Sequence, residues 1–327
     1  SKKTTHVKAV DKSNIIVATA NEGLFILNNR ENTAKKITEI DGKPLPIINN
    51  IRVERDGEVL LSTSQGIYTL NLTFAELTLK FKEWRKTHGV ISVSDACYYD
   101  NIGWLIGTTN KGLYTLYDNG EVYQNTEDIF QKTALLNNAI NTLFRDNSGT
   151  VWVGSRRGIS NIDPGHQGIM GVGASANAET GIPSASVWSF AEWGNYLYIG
   201  TDSGVSRFDY KTGKFRQFLY SEQLISESKT ELSILGIEVI NNNRLLIASA
   251  DGLHELNISA TNHTFSNVDF PSEESKRKHD RVYAIEHWKD NSYFLATKGG
   301  AILYDVSTKK ITLFEHDSKS PKKTISK

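Results

Sequence analysis

Neither sign of charge dominates this sequence: its 327 residues hold 37 Lys+Arg and 37 Asp+Glu, a formal net charge of zero at pH 7. The electrostatic footprint of a nucleic-acid binder, or of a protein held on an anionic membrane, is missing. Nucleic acid and membrane are therefore not expected as partners of this segment. No apolar run approaches the ~20 residues a membrane helix needs. The first ten residues, SKKTTHVKAV, contain no apolar h-region, so no secretory signal is read there. A cytosolic chain and an excised mature piece are the two expectations. The one cysteine, Cys97, cannot form an internal disulfide. In the strand-like SDACYYD it is expected to pack as a small core residue rather than act as a catalytic thiol, because no histidine stands in a recognisable partner motif.

Enzyme motifs are also missing. The sequence has no G-x-S-x-G, no H-E-x-x-H and no Walker loop. Its eight histidines (His6, His88, His166, His254, His263, His279, His287 and His316) do not pair at metal-ligand spacing. No catalytic residue, metal or cofactor is assigned from the sequence. His279 and His287 flank a strand and are expected as solvated loop side chains.

What the sequence does hold is one unit, repeated. Its core is two or three apolar residues, a small residue, Ser or Thr, a short polar spacer, Gly, then usually an aliphatic residue. The copies read IIVATANEGL, VLLSTSQGI, WLIGTTNKGL, VWVGSRRGI, LYIGTDSGV, LLIASADGL and YFLATKGGA. They close on Gly23, Gly66, Gly112, Gly158, Gly204, Gly252 and Gly300, at intervals of 43, 46, 46, 46, 48 and 48 residues. A period of ~40–50 residues belongs to propeller blades or solenoids. Each unit contains four short β-branched or aromatic segments bounded by Gly, Asn and Asp, as in VWSFAEW, YLYIGT, GVSRFDY and KFRQFLY. No 3.6-residue apolar period supports a helical solenoid.

The fold expected is therefore all-β: a seven-bladed β-propeller with four antiparallel strands, A to D, in each blade. It spans 1–327 as one domain, with blades at about 5–42, 43–88, 89–131, 132–180, 181–226, 227–272 and 273–317 and a tail at 318–327. Strand B is apolar on both faces because both pack on a neighbouring blade. The small residue is expected where sheets come close, the Ser/Thr hydroxyl on the backbone of the B–C turn, and the closing glycine at positive φ. The chain opens on a strand A (THVKAVD) and closes on a strand D (KKITLFEH), so every blade is contiguous in sequence and blades one and seven must hold the ring shut by packing.

The stretches DNSGTVWVGSRRGISNIDP and NYLYIGTDSGVSRFDYKTGKFRQF resemble the two-component regulator propeller repeat, whose usual form is close to D-x-x-G-x-[LIV]-W-I-G-T-x-x-G-[LI]-x-x-[YF]-D. The likeness is strong in units three to five and looser in one, six and seven; the tryptophan survives as Trp104 and Trp152. The resemblance implies the periplasmic sensor region of a bacterial hybrid two-component system, the extracytoplasmic part of an inner-membrane protein. Such a region feeds a phosphorelay and transcription regulation, often in response to glycans or their fragments. It implies an oligosaccharide or sugar as ligand. It also implies a second propeller and an immunoglobulin-like domain as partners, and a chain that is a fragment of a longer protein whose kinase region lies elsewhere.

Propeller ligands bind over the central channel, where B–C turns and D–A connections converge. Candidates at that rim are Arg156, Arg157, Asp202, Asp251 and Lys298 from the turns and Trp84 and Arg85 from the connection EWRKTHG. Charges of both signs beside amides suit hydroxyl-rich ligands. Trp84 is read either as a stacking platform for a sugar or as a side chain packed between blades; SKRKHD is read as a charged loop. Three classes stay open: a ligand sensor, a protein-docking propeller, and a propeller lyase with clustered His and Glu at the channel mouth. Among the B–C turns only Glu22 supplies a glutamate, which counts against the last.

Overall fold

In all seven repeats the Ser/Thr of the motif makes the same two hydrogen bonds. Its hydroxyl donates to the carbonyl of the closing glycine, over 2.6 Å (Thr297) to 3.0 Å (Ser249). It also accepts a backbone N–H from within the turn. A buried hydroxyl is thus paired at both ends, which removes the penalty of leaving it unsatisfied. The closing glycines lie at φ 76° to 141°. At Gly158 (φ 134°) a Cβ would also stand 2.5 Å from the Val172 carbonyl oxygen, so a side chain is excluded by conformation and by space. In the fourth repeat the leading Asp146 is the second anchor. Its carboxylate accepts from the backbone of Ser148 and Thr150, closing the A–B turn, and from the indole of Trp152 at 2.8 Å.

The computed structural model describes residues 3–31, 33–100, 102–128, 131, 134–162, 169–219 and 232–314. The motifs join strands into seven four-stranded antiparallel sheets, each in sequence order A-B-C-D. The inner A strands are Thr4–Ala9, Ile48–Val53, Val93–Tyr99, Ile140–Arg145, Val187–Trp193, Ile234–Asn241 and Val282–Lys289. Each contacts the next, and the last contacts the first, so the sheets close into a seven-bladed propeller.

The core is seven separate clusters, one between each pair of adjacent blades. Alternation along strand B feeds two of them at once: Ile16 and Ala18 face blade two, while Ile15 and Val17 face blade seven. The small residue sits at the point of closest approach. A Cβ on Gly107 would meet Ile140 of the next blade at 2.8 Å, and one on Gly154 would meet Val187 at 2.9 Å. Among the described residues no strand is shared across the closing seam between blades seven and one. Its cluster has five buried members, Val7, Ile15, Val17, Phe294 and Ala296, the smallest of the seven among the described residues. An ion pair across the seam, Lys8 Nζ to Glu286 Oε2 at 2.9 Å, and Lys3 Nζ 4.5 Å above the Tyr283 ring supplement it.

Two connections differ from the sequence reading. EWRKTHG forms helix α1 (Lys82–His88), and the SKRKHD region forms helix α2 (Glu273–Lys278) with Ser272 as its N-cap. Both are too short for an apolar period to show, and each is fixed by one buried side chain. Trp84 docks edge-on against Tyr114, between blades two and three. His279, which caps α2, is buried rather than solvated, with its Nδ1 2.6 Å from the Thr297 hydroxyl.

A channel mouth built from seven bulges

All seven A strands carry a register shift at the same place, one residue after their first buried residue. The extra residue is Thr5, Asn49, Ser94, Asn141, Trp188, Leu235 or Tyr283. A bulge bends its strand and re-aims one side chain. Here it does so next to the Ser/Thr–Gly turns, at the end of the axial channel where B–C turns and D–A connections meet. Two of the bulged residues tie blade to blade: Asn49 Nδ2 donates to the Val93 carbonyl at 2.7 Å and Asn141 Nδ2 to the Val187 carbonyl at 2.8 Å. Trp188 donates its indole N–H to Asp202 at 2.6 Å, and Asp202 also accepts from the Ser233 hydroxyl. Tyr283 stands under both Lys3 and Arg281. The mouth thus combines amides, a carboxylate and two aromatic rings.

Below the mouth the channel is a cavity of about 940 Å³. Its charges are arranged by blade. Lys8 of blade one pairs with Glu286 of blade seven. Arg52 of blade two grips Asp95 of blade three with two N–H groups, at 3.2 and 2.7 Å. Asp95 is buried and accepts two backbone N–H groups as well, from Ala96 and Leu143, so one carboxylate joins blades two, three and four. Glu238 of blade six has no ion pair among the described residues. Burial, and then repulsion from Glu286, push its carboxyl up to about 7. Glu286 is likewise raised by burial, against the pull of Lys8. His6 is pushed down to about 4 by burial and is neutral at physiological pH. The wall of blades four and five carries an aromatic patch, Phe144 stacked on Phe190, between polar ends at Asn141 and Glu192.

The residues singled out from the sequence are dispersed. Asp202 reaches the mouth through Trp188. Arg156 and Arg157 are exposed, and their side chains make no hydrogen bond or ion pair among the described residues. Arg85 lies over the turn of blade two, its Nη1 donating to the Gln65 carbonyl at 3.0 Å. Lys298 is exposed beside Asp280 at 3.2 Å, and Asp251 is half-buried in its turn. Trp84 is 8% exposed, which rules out its reading as a stacking platform: α1 turns the ring inward. None of Arg156, Arg157, Trp84, Arg85, Asp251 and Lys298 lines the channel. The bulged residues and Glu238 were missed. The signal for the former was a variable residue after the first aliphatic of strand A in blades two to seven, as in INNI, VWSF and VYAI.

Two arrangements with catalytic outlines are structural. Ser249, His254 and Asn267 form a chain of 2.8 Å contacts, but Ser249 is wholly buried and its hydroxyl is held by the turn. Cys97 is buried in the cluster between blades three and four, and burial pushes its thiol up to about 12. No group of three or more His, Cys, Asp or Glu side chains among the described residues stands close enough to hold a metal.

Residues 134–157 match the family model described as two component regulator propeller. No curated protein matches the sequence. Among solved structures, the chain is similar to the extracellular domain of a hybrid two component system of B. thetaiotaomicron, with 17% identity and a TM-score of 0.70. That match covers 93% of this chain and 38% of the other, so the chain spans well under half of that relative. It is also similar to streptogramin B lyase (11% identity, TM-score 0.63, 92% of both chains) and to the Cps50 (Swd1) β-propeller domain of Myceliophteria thermophila (11%, 0.62, 94% and 98%). At these identities the likeness establishes the propeller fold. No helix among the described residues is long and apolar enough to cross a membrane.

Proposed function

From the premise that the chain carries a two-component regulator propeller repeat, we propose that it is a non-enzymatic sensor module of a hybrid two-component signalling protein. It works in the periplasm and binds a carbohydrate-derived ligand at the mouth of the axial channel. The observation that carries this reading is the ring of bulged residues. Asn49, Asn141, Trp188 with Asp202, and Tyr283 place donors, acceptors and aromatic faces around one opening above a 940 Å³ cavity. Hydroxyl-rich ligands need this mixture, with rings for their apolar faces and amides for their hydroxyls. The exposed pair Arg156–Arg157 serves a neighbouring domain of the same sensor region, a second propeller or an immunoglobulin-like domain, rather than the ligand.

Calorimetric titration with a panel of neutral and acidic oligosaccharides tests the reading. One class is expected to bind with a stoichiometry of one, and Trp188→Ala to abolish that binding while leaving the fold intact. Absence of binding across the panel by a folded protein would refute it. A second reading, protein docking, is favoured by one feature. The outer strands of blades three and four, Val122–Asn125 and Ile169–Val172, carry no charged residue and expose Tyr123 (57%) and Met170 (72%). Those of blades one, five and seven carry Lys or Arg, the usual guard of a free edge.

A further inference from the structure

The channel wall is not electrically balanced. It presents three cations, Lys8, Arg52 and Arg145, and five carboxylates. Lys8 is taken by Glu286 and Arg52 by Asp95. Arg145 turns out of the channel to Asp100, which also pairs with Arg55. Of the two histidines on the wall, His6 contributes no positive charge, being held neutral by burial, and His287 has its Nε2 3.1 Å from the Asp290 carbonyl. Three carboxylates, Glu192, Glu238 and Asp290, form no close ion pair among the described residues; Asp290 is exposed, and Glu238 is buried, reached only by the weaker pull of Lys8 and a backbone N–H of His287. A cavity with low-dielectric walls concentrates such a field rather than screening it. Glu238 lies on the channel wall and the Trp188 ring stands at the mouth on the route in, whereas the Tyr283 ring is already covered by Lys3 and Arg281. An organic cation is drawn to ring faces as well as to carboxylates.

Resting on the reading of the channel as a ligand site, we infer that its ligand bears a protonated amine, anchored by Glu238. The cation is organic rather than a bare metal ion, because no three ligating side chains among the described residues converge. It enters past Trp188, pairs with the Glu238 carboxylate and lays its apolar surface on the Phe144–Phe190 wall. An amino sugar and a polyamine share this chemistry.

The test is calorimetry on the intact protein at about pH 7 in low salt, where surface screening is weak. The probes are N,N′,N″-triacetylchitotriose, its fully de-N-acetylated counterpart and spermidine. The two trimers share one sugar backbone and differ at each C2 nitrogen, a neutral acetamide in one and an amine in the other. The de-N-acetylated trimer, or spermidine, is expected to bind at least about tenfold more tightly than the triacetyl trimer, and Glu238→Gln to remove that preference. Tighter binding of the trimer identifies an amino sugar as the source, tighter binding of spermidine a polyamine. Glu192→Gln, at the far end of the channel, is expected to weaken amine binding less, which separates local recognition from a general change in charge or folding. Equal affinity for the two trimers with no spermidine binding, or an amine preference untouched in a folded Glu238→Gln protein, would overturn the inference. Neutral saccharides binding without amine preference would leave the sensor reading standing. Spermidine binding with no saccharide binding would do the reverse, and no binding at all would end both.

Discussion

Ser155 and Gly158 form a two-residue lock: a hydroxyl bonded to a carbonyl across a turn that needs φ 134°. Gly158→Val is expected to destabilise the protein by about 2–4 kcal/mol, through backbone strain and collision with the Val172 carbonyl. Urea unfolding against the native protein measures it, and a shift below about 0.5 kcal/mol, the range of ordinary surface changes, would show that the turn relaxes freely. Glu238 makes a prediction in pH. A carboxyl whose folded value lies above its ordinary one holds its proton more tightly in the native state. The stability this gives is complete below the ordinary value of 4.5 and is lost as pH rises through about 7. Glu238→Gln does not titrate. It is therefore expected to match the native protein near pH 4 and to exceed it by roughly 2–3 kcal/mol near pH 8. Thermal unfolding across that range reads the gap, and a constant offset would mean that Glu238 is not perturbed. Of these residues Gly158 was plain in the sequence, because a φ requirement recurs with the repeat. Glu238 was not, because its neighbours Glu286 and Lys8 come from blades joined only when the ring closes.

At the scale of elements, strands were legible and their irregularities were not. A four-strand pattern with period near 46 has one good solution, since a lone blade buries neither face. A bulge shifts the alternation by one residue, so the buried positions of Ile48–Val53 lie three apart, and a single slip in so short a segment is easily passed over as ordinary strand. Helix α1 was hidden for a different reason: seven residues hold less than two apolar turns, and Trp84 alone decides its placement. The closing seam is the element most exposed to single changes, having the smallest apolar cluster. Lys8→Met strands the Glu286 carboxylate beside Glu238 and is expected to cost about 2 kcal/mol, discounted because the pair is partly exposed. Adding Glu286→Gln should recover most of that loss. Denaturant titration of the single and double variants decides it, and equal stability of all three would show that the pair does not hold the seam.

At the scale of the whole molecule, the ring creates what no blade contains: an axial channel whose wall is assembled from seven strands about 46 residues apart. Fold follows from the repeat, because the same residues close every blade. Site does not, because the channel uses the positions at which the blades differ. On the proposed function, this channel is where the ligand acts. Hydrogen exchange of the protein, with and without the tightest-binding saccharide of the panel, tests it most directly. Protection confined to the inner strands Thr4–Ala9, Ile48–Val53, Ile140–Arg145, Val187–Trp193, Ile234–Asn241 and Val282–Lys289 is the predicted result. Protection on the outer strands Val122–Asn125 and Ile169–Val172, with the inner strands unchanged, would contradict it.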